Sequence, residues 1–303
     1  PHLRLRGARL ADASVAMAAG LANPLCACTV GLLYRVLLAR GTTAPAAQAF
    51  LTAAPALGVP AALLSMRLLG LPYLVARALA AAAIAVLAGV TAPRATTNDG
   101  ALPPARPPPA PLAERLKHGL RHGLVDAVDH VGPWLVVGFL AAAAITTWGS
   151  PTRLPSLPTL WHPLLAALCA FPLYLCAAGL TPVAAALLAL GLSPGGALAL
   201  LLVGPATSLP SLAMVRRLAG LRASVTLGSS VLIGAAAVGL AVDLASTRIE
   251  LLPQGVAPGA TEAGTLEAVS LLVLFALGAA SLWRQGVRGA LIQVMSPEHQ
   301  HAD

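Results

Sequence analysis

The sequence has very little charge and few aromatic side chains. Only 10% of its 303 residues are charged and 4% are aromatic, whereas 57% are hydrophobic, and the mean hydropathy is +0.81. Soluble domains carry about 25% charged residues, because charge covers a folded surface in water. The shortage of charge therefore excludes an ordinary soluble enzyme and a disordered chain, and it predicts a membrane protein with several transmembrane helices.

Cysteine is also scarce, and the four cysteines (Cys26, Cys28, Cys169 and Cys176) all lie in apolar stretches. This placement excludes a secreted disulfide framework, whose cysteines would lie in polar loops. The sequence lacks a phosphate-binding loop ending in Lys-Ser or Lys-Thr, which excludes a nucleotide-binding ATPase subunit. Because basic and aromatic residues do not interleave, we assign the net charge of +8 to contact with anionic membrane lipid rather than nucleic acid.

Eight apolar runs follow one another along the chain. Four are continuous, each with roughly the 20 residues that a helix needs to cross a bilayer, and they cover 72–92, 131–148, 221–245 and 266–283. The other four cover 11–39, 44–69, 160–190 and 193–218. Proline removes a helix hydrogen bond, so we predict breaks at Pro24, Pro55, Pro60, Pro172, Pro182, Pro205 and Pro210. The pattern predicts an all-α polytopic transmembrane protein.

Polar segments divide the chain further. The two halves that hold most of the runs are 1–92 and 131–245, and a Pro-rich spacer followed by a basic amphipathic helix (93–130) separates them. A polar loop (246–264), a final transmembrane helix (265–283) and a polar tail (284–303) follow. His118 and His122 have the spacing of a metal-binding pair on a helix, but their basic neighbours favour a solvated interfacial face.

The two halves repeat the same residues in the same order. An offset of 148 positions pairs Pro24/Pro172, Leu25/Leu173, Cys28/Cys176 and Gly31/Gly179. An offset of 150 pairs Gly41/Gly191, Pro55/Pro205, Pro60/Pro210, Arg67/Arg217 and Gly70/Gly220. We therefore predict a duplicated unit, and proline-interrupted segments in corresponding places indicate a transporter's binding site. The second unit has a leading helix (131–148); the first has none in this sequence, which also lacks an initiating Met, so we expect the natural chain to begin earlier.

The positive charges predict how the two units thread through the membrane. If 44–69 and 193–218 are re-entrant and the 93–130 linker is cytoplasmic, most of the 19 Lys and Arg residues lie on the cytoplasmic side. If these two segments cross fully, most lie outside, against the usual positive excess of cytoplasmic loops. The re-entrant model is therefore favoured, and it makes the units inverted repeats, with the linker and the C-terminal tail in the cytoplasm.

Several stretches resemble a known permease family. They are Pro-Leu-Cys-Ala-Cys (24–28), Asp-Ala-Val-Asp-His-Val-Gly-Pro-Trp (126–134), Leu-Ser-Pro-Gly-Gly-Ala (192–197) and Gly-Pro-Ala-Thr-Ser (204–208). These stretches are similar to those of the predicted permeases that include ArsP-type organoarsenical exporters and copper/zinc efflux permeases. The resemblance extends from about Asn23 to about Ala245. It implies a multi-pass inner-membrane protein that exports a thiophilic heavy metal or organometalloid and that is a transporter rather than an enzyme.

Sulfur is the chemical feature that such a substrate requires. Soft thiolates bind soft metals, so Cys26, Cys28 and Cys176 are candidate substrate-binding residues, with Cys28 and Cys176 as transient metal ligands. The alternative is a structural role, in which these small residues pack between helices. Candidate polar lining residues are Tyr174, Thr181, Thr207 and Ser208 in the second half and Thr29 and Gln48 in the first. A Ser or Thr in a membrane helix more often satisfies a local carbonyl.

The charges within the apolar runs have two interpretations. Arg35 and Arg77 lie near run ends, which favours side chains that snorkel to the interface over functional intramembrane charges. Asp126 and Asp129 precede the helix predicted from 131, where acids help cap a helix; they are also candidates for a proton-coupling site, with protons as the coupling ion. No cofactor is expected.

Three hypotheses remain open from the sequence. The first is an efflux permease that works by alternating access between its repeats. The second is a membrane redox enzyme that uses Cys26 and Cys28 as a dithiol. The third is a permease-like structural subunit that no longer transports, because polar residues of the resembled family are missing from the first half.

Overall fold

The computed structural model describes residues 9–23, 27–93, 138–147, 158–171 and 176–246. These residues form eleven α-helices and no strand, which confirms the predicted all-α class. They belong to one compact unit that comprises Pro1–Pro103 and Gly138–Val256. A second unit (Pro104–Val137 with Ala257–Asp303) lies outside the described residues. The predicted spacer, polar loop, final helix and tail fall almost wholly outside them, so their boundaries remain predictions.

The helices of the first half follow the apolar runs closely. They are α1 (Arg9–Ala22), α2 (Ala27–Ala39), α3 (Ala44–Ala53), a 3-10 turn (Ala54–Leu57), α4 (Val59–Leu68) and α5 (Leu71–Thr91). Those of the second half are α6 (Gly138–Thr147), a 3-10 turn (Thr159–Trp161), α7 (His162–Ala170), α8 (Ala177–Ala189), α9 (Pro194–Ala206), α10 (Leu209–Ala219) and α11 (Leu221–Ser246). The continuous runs at 72–92 and 221–245 are thus continuous helices, as predicted.

Proline starts helices in this fold more often than it breaks them. Pro60 and Pro210 lie in the first turns of α4 and α10, where the missing N–H has no intrahelical partner in any case. Pro182 and Pro205 lie inside α8 and α9, so the predictions of breaks at these two residues were wrong. Pro182 is the sixth residue of α8 and Pro205 is the penultimate residue of α9, so each removes one intrahelical hydrogen bond, and α9 ends one residue after Pro205.

The duplication is visible in the backbone. All four glycines with positive φ among the described residues form two pairs 150 positions apart: Gly41 and Gly191 (78° and 98°) and Gly70 and Gly220 (87° each). They end α2 and α8 and precede α5 and α11. A left-handed backbone there favours glycine, because a Cβ would clash with the chain. The two halves therefore repeat the same turns as well as the same helices.

The helices within each half pack in the same way. Helix α3 packs against α1 and α5, and α9 packs against α7 and α11. A Cβ on Gly89 would lie 2.7 Å from Ala13 Cβ and 2.8 Å from the Pro45 carbonyl oxygen. The residues 150 positions later, Gly239, Pro163 and Gly195, make the equivalent close approach. Small residues let helix backbones approach closely, which is the main packing device of helices in lipid.

The halves also contact each other reciprocally. Helix α5 packs against its equivalent α11, while α4 packs against α8 and α10 against α2. Since α4 is equivalent to α10 and α2 to α8, each contact between the halves has its mirror contact. Reciprocity of this kind is what a twofold relation produces. Whether the axis lies in the membrane plane, as inverted repeats require, stays a prediction.

Two described helices are long and apolar enough to span a membrane, namely Leu71–Thr91 and Leu221–Ala245. Large apolar side chains on both are exposed, including Leu71 and Val75 on α5 and Leu221 and Val225 on α11, as expected for surfaces that face lipid. The pairs α3–α4 and α9–α10 each pass the same test when taken together, with bends of 48° and 51°. Such a bend occurs in a broken span and in a re-entrant segment, so the threading remains a prediction.

Candidate functional site

The described part of the chain contains some of the predicted site residues. Cys26 and Tyr174 lie outside it, as do Asp126 and Asp129. Cys28 is described only by its backbone, as the second residue of α2. The predictions for these residues are therefore neither confirmed nor contradicted. Cys176, Thr181, Thr207 and Ser208 are described with their side chains.

Cys176 marks the start of α8. It is the N-cap residue, with an extended backbone (φ −69°, ψ 154°), and its Sγ accepts a hydrogen bond of 3.3 Å from the Gly179 N–H. The side chain is half-buried, whereas Cys169 on α7 is exposed. The segment that breaks before α8 thus directs the Cys176 thiol to the end of a helix, where N–H groups point outward. Such N–H groups favour the negative thiolate.

The repeat pairs Cys176 with a different cysteine from the one that the sequence suggested. Ala13 and Pro163 are equivalent in packing, and Gly41 and Gly191 are equivalent in backbone conformation. Both pairs are 150 positions apart, so the segment between them has the same length in each half. At this offset the counterpart of Cys176 is Cys26, not Cys28. The sequence also aligns with itself at an offset of 148, because Pro, Leu, Cys and Gly recur there by their spacing, and that offset had paired Cys176 with Cys28.

Thr181 is fully buried on α8, one and a half turns after Cys176. Its hydroxyl donates to the Ala177 carbonyl oxygen at 2.7 Å, which is the local hydrogen bond expected of a threonine in an apolar helix. The same hydroxyl oxygen accepts a hydrogen bond of 3.2 Å from Arg77 Nη1 on α5. Thr181 therefore also forms a polar contact between the two halves.

Arg77 is the residue for which the sequence interpretation was wrong. Its side chain is 0% exposed, so it does not snorkel to an interface. Nη1 donates to Ser65 Oγ on α4 at 2.7 Å as well as to Thr181. Nε and Nη2 have no hydrogen-bond partner among the residues that the structure describes. Arg35, the other arginine of the prediction, is exposed on α2 and remains compatible with an interfacial position.

Thr207 and Ser208 form the break between α9 and α10. Both are buried, and Thr207 donates to the Val203 carbonyl oxygen at 2.8 Å, while Ser208 Oγ and Ser211 Oγ are 2.7 Å apart. The chain turns at Ser208, the N-cap residue of α10, which has an extended ψ of 142°. Both hydroxyls thus form local hydrogen bonds, which is the structural role that the sequence left open.

Sequence reasoning missed a buried carboxylate on α11. Asp243 accepts hydrogen bonds from Ser193 Oγ at 2.6 Å and from the Gly195 N–H at 2.7 Å, at the start of α9. Nδ1 of the buried His162 accepts from the Ser193 N–H at 3.1 Å. The signal was present: Asp243 stands inside the run at 221–245, and acids within apolar runs are rare.

The first half has a simpler version of this arrangement. Thr43, the residue equivalent to Ser193, donates to the buried Asp12 on α1 at 3.3 Å, and Asp12 is the residue equivalent to His162. The helices that follow, α3 and α9, both begin at a hydroxyl residue that donates to a buried carboxylate. A carboxylate near a helix N-terminus stabilises that end, so these acids have a clear structural role.

Gln48 is the remaining polar residue of the prediction with a described side chain. It is fully buried on α3, and its Nε2 donates to the Ala223 carbonyl oxygen on α11 at 3.2 Å. Gln48 Oε1 and the buried hydroxyl of Tyr34 on α2 form no hydrogen bond within the described ranges. Gln48 thus joins Thr181 among the buried polar residues between the halves.

Within the described ranges, no three His, Cys, Asp or Glu side chains form a group that could hold a metal ion. The all-helical architecture and the apolar spans define a polytopic helical membrane protein. The model of the ArsP-type predicted permease family matches residues 3–244 of the chain. The chain therefore belongs to this family of predicted permeases, as its motifs suggested. No curated protein and no solved structure matches it.

Proposed function

We propose that this permease exports a thiophilic heavy metal ion or an organometalloid across the inner membrane. The observation that carries the proposal is the Cys176 thiol at the N-terminal end of α8, on the same helix as Thr181, which is hydrogen-bonded to Arg77 of the other half. Thiolate is the ligand class that selects soft metals and trivalent metalloids. Cys26 precedes α2, the equivalent helix, and Cys28 is its second residue, so both would supply further sulfur.

Alternating access is the transport mechanism that fits a duplicated fold. Reciprocal contacts between the halves allow one half to rock against the other around a fixed site. A site whose two or three thiolates come from both halves binds the substrate while the halves are together, and it releases the substrate when they separate. Protons are the proposed coupling ion, with Asp126, Asp129 and the buried Asp243 as the candidate carboxylates.

Cell resistance tests the metal site directly. We would express the chain and its Cys176→Ser, Cys26→Ser and Cys28→Ser variants in a metal-sensitive host, and measure growth against copper, zinc, arsenite and methylarsenite. The matched control is Cys169→Ser, because Cys169 is exposed on the neighbouring α7 and lies outside the proposed site. We expect the wild type and the control to confer resistance to at least one of these agents, and Cys176→Ser to lose it.

Transport by purified protein in liposomes separates the proposal from its alternatives. Uptake of one panel substrate that requires Cys176, and that a pH gradient accelerates, would support an efflux permease with proton coupling. Full resistance and full transport in the triple variant C26S/C28S/C176S would refute the sulfur site. A cysteine pair that cycles between disulfide and dithiol during turnover would instead indicate the redox enzyme.

A further inference from the structure

The guanidinium of Arg77 is a fixed positive charge buried inside a membrane-spanning helix. Arg77 lies on α5, which is one of the two long apolar helices, and its side chain is 0% exposed. A charged side chain inside the membrane is costly, so it is retained where it pairs with another charge or serves the substrate pathway. The question for Arg77 is therefore which group neutralises it.

The described residues satisfy only one end of this guanidinium. Both described hydrogen bonds leave from Nη1, to Ser65 Oγ at 2.7 Å and to Thr181 Oγ1 at 3.2 Å. Nε and Nη2 remain without an acceptor in the described part of the chain. These two nitrogens form the side of the guanidinium whose parallel N–H groups bind a carboxylate or phosphate in bidentate fashion. The open side is thus the side suited to an oxyanion.

The acceptors that are present carry no charge. Ser65 and Thr181 are hydroxyls, and Tyr73, one turn before Arg77 on α5, uses its hydroxyl proton to bond the Pro194 carbonyl oxygen at 3.1 Å. No carboxylate of the described residues forms an ion pair with Arg77. Leaving a buried charge without a counter-charge costs far more than leaving a buried hydroxyl unbonded. Among the described residues, the arrangement therefore lacks one negative group.

The position of this charge matches that of the proposed transport site. Ser65 is on α4 of the first half and Thr181 is on α8 of the second, so Arg77 bridges the halves where binding sites of duplicated transporters lie. Thr181 follows Cys176 by five residues, which is about 7.5 Å along a helix axis. The proposal therefore requires a molecule that extends from the N-terminal end of α8 to Arg77, over about 7.5 Å along the helix axis and roughly 140° around it.

The second half has no equivalent of this charge. The positions 150 residues after Arg77 and Ser65 are Leu227 and Val215, and the position 150 residues before Thr181 is Gly31. None of these side chains offers a hydrogen-bonding group. The duplication therefore kept the helix framework in both halves but placed the charge in only one, which indicates a single site between them.

We propose that Arg77, with Ser65 and Thr181, forms the binding site for an anionic oxygen group of the transported molecule. This proposal rests on the proposed permease function and narrows its substrate. A bare metal cation is repelled by the guanidinium, whereas an organometalloid that carries an anionic oxygen group presents that group to Arg77 and its soft centre to Cys176. The substrate class is then an anion rather than a cation.

Equilibrium binding to the purified full chain tests the proposal without requiring transport. We would titrate inorganic phosphate, sulfate and methylarsonate into the protein in lipid nanodiscs by isothermal titration calorimetry. The variants are Arg77→Met, Arg77→Lys and, as the control for loss of one positive charge, Arg35→Met, because Arg35 is exposed. We expect saturable binding of at least one anion, a loss of at least tenfold in Arg77→Met, and unchanged affinity in the control.

If Arg77→Met folds poorly, a second variant, Arg77→Lys, and a second measurement, thermal stability, still test the proposal. Lys keeps the charge but lacks the bidentate face, so we expect it to fold and to bind about tenfold more weakly. If no counter-charge is present in the protein, Arg77→Met is at least as thermostable as the wild type. Absence of saturable binding by all three anions, or equal binding by wild type and Arg77→Met, would overturn the proposal. So would a large drop in stability of Arg77→Met without bound anion, since it would reveal a protein counter-ion.

The two proposals fail in different ways. Transport of a thiophilic substrate that persists in Arg77→Met but needs Cys176 would refute the anion site and keep the metal permease. Anion binding that needs Arg77, together with resistance that is unaffected by Cys176→Ser, would keep the anion site and refute the sulfur site.

Discussion

The Arg77 guanidinium of α5 donates a hydrogen bond to the Thr181 hydroxyl of α8, and this contact joins the two halves of the chain through a pair of fully buried side chains. Thr181 donates its own proton to the Ala177 carbonyl oxygen, so both of its hydrogen-bonding roles are in use. The contact therefore fixes the orientation of Arg77 relative to the second half, and any motion between the halves has to break it or carry it along.

Replacing Thr181 by Val is expected to destabilise the protein by about 1–3 kcal/mol, since a buried charged donor loses an acceptor. The matched control is Thr207→Val. Thr207 is equally buried and makes the same kind of hydrogen bond to a carbonyl four residues earlier, but no described contact to a charged group. We expect this control to change stability by less than about 1 kcal/mol. Thermal unfolding in detergent measures both, and equal losses would contradict the bridging role of Thr181.

The equivalent close approaches of Gly89 and Gly239 predict a second outcome. An added Cβ on Gly239 would lie 2.6 Å from the Gly195 carbonyl oxygen and 2.9 Å from Pro163 Cβ, so Gly239→Ala forces α11 away from α7 and α9. We expect a loss of about 1–3 kcal/mol from this overpacking. Gly228→Ala on the same helix is the control, because its Cβ would meet Phe171 at an ordinary 3.5 Å.

For Gly228→Ala we expect no loss, and a gain of up to about 1 kcal/mol, because Ala is the better helix former. We would compare the two variants by the temperature at which half of the protein aggregates, measured by size-exclusion chromatography in the same detergent. A Gly239→Ala protein as stable as the wild type would mean that α7, α9 and α11 do not pack as closely as described.

The N-terminal ends of α3 and α9 give a third matched pair. Ser193 Oγ donates to Asp243 at 2.6 Å and accepts from the Gly196 N–H at 3.0 Å, whereas Thr43 only donates to Asp12 at 3.3 Å. Ser193→Ala therefore removes a helix cap and one charge-assisted hydrogen bond, and we expect it to cost about 2–4 kcal/mol. Thr43→Ala should cost less than about 1 kcal/mol. Amide hydrogen exchange, measured under increasing denaturant, reports the loss of protection in α9 and in α3 separately. Similar losses in the two variants would contradict the stronger hydrogen bonding assigned to Ser193.

Much of the fold could be predicted from the sequence, because the features that specify it are local. Continuous apolar runs gave α5 and α11, and the glycines that need positive φ recur at a fixed offset in the two halves. The break before α8 and the bends of α3–α4 and α9–α10 also lie near the predicted prolines. Pro182 and Pro205 were misread, because α8 and α9 each continue through a proline that removes one of their hydrogen bonds.

The site was less predictable, because burial depends on which helix faces which. Hydropathy places Arg77 near the end of an apolar run, but only the packing of α4 and α8 against α5 turns it inward. Asp243 escaped notice for the same reason, since its partners Ser193 and Gly195 come from the start of another helix. The pairing of the cysteines depended on a register that differs by two residues between equally plausible alignments.

The threading of the bent pairs leads to the last prediction. In the re-entrant model Arg40 and Arg67, which flank the α3–α4 segment, lie on the same outer side of the membrane, and Arg217 lies in the cytoplasm. If the segment crosses fully, Arg40 is cytoplasmic and both Arg67 and Arg217 are outside. All three side chains are exposed, so cysteines at these positions should react with a maleimide reagent.

In a background without native cysteines, we expect Arg40→Cys and Arg67→Cys to be labelled in intact cells by a membrane-impermeant maleimide, and Arg217→Cys only after permeabilisation, because cytoplasmic loops carry the positive excess. Labelling of Arg67→Cys and Arg217→Cys but not Arg40→Cys in intact cells would establish full crossings and would remove the basis for inverted repeats.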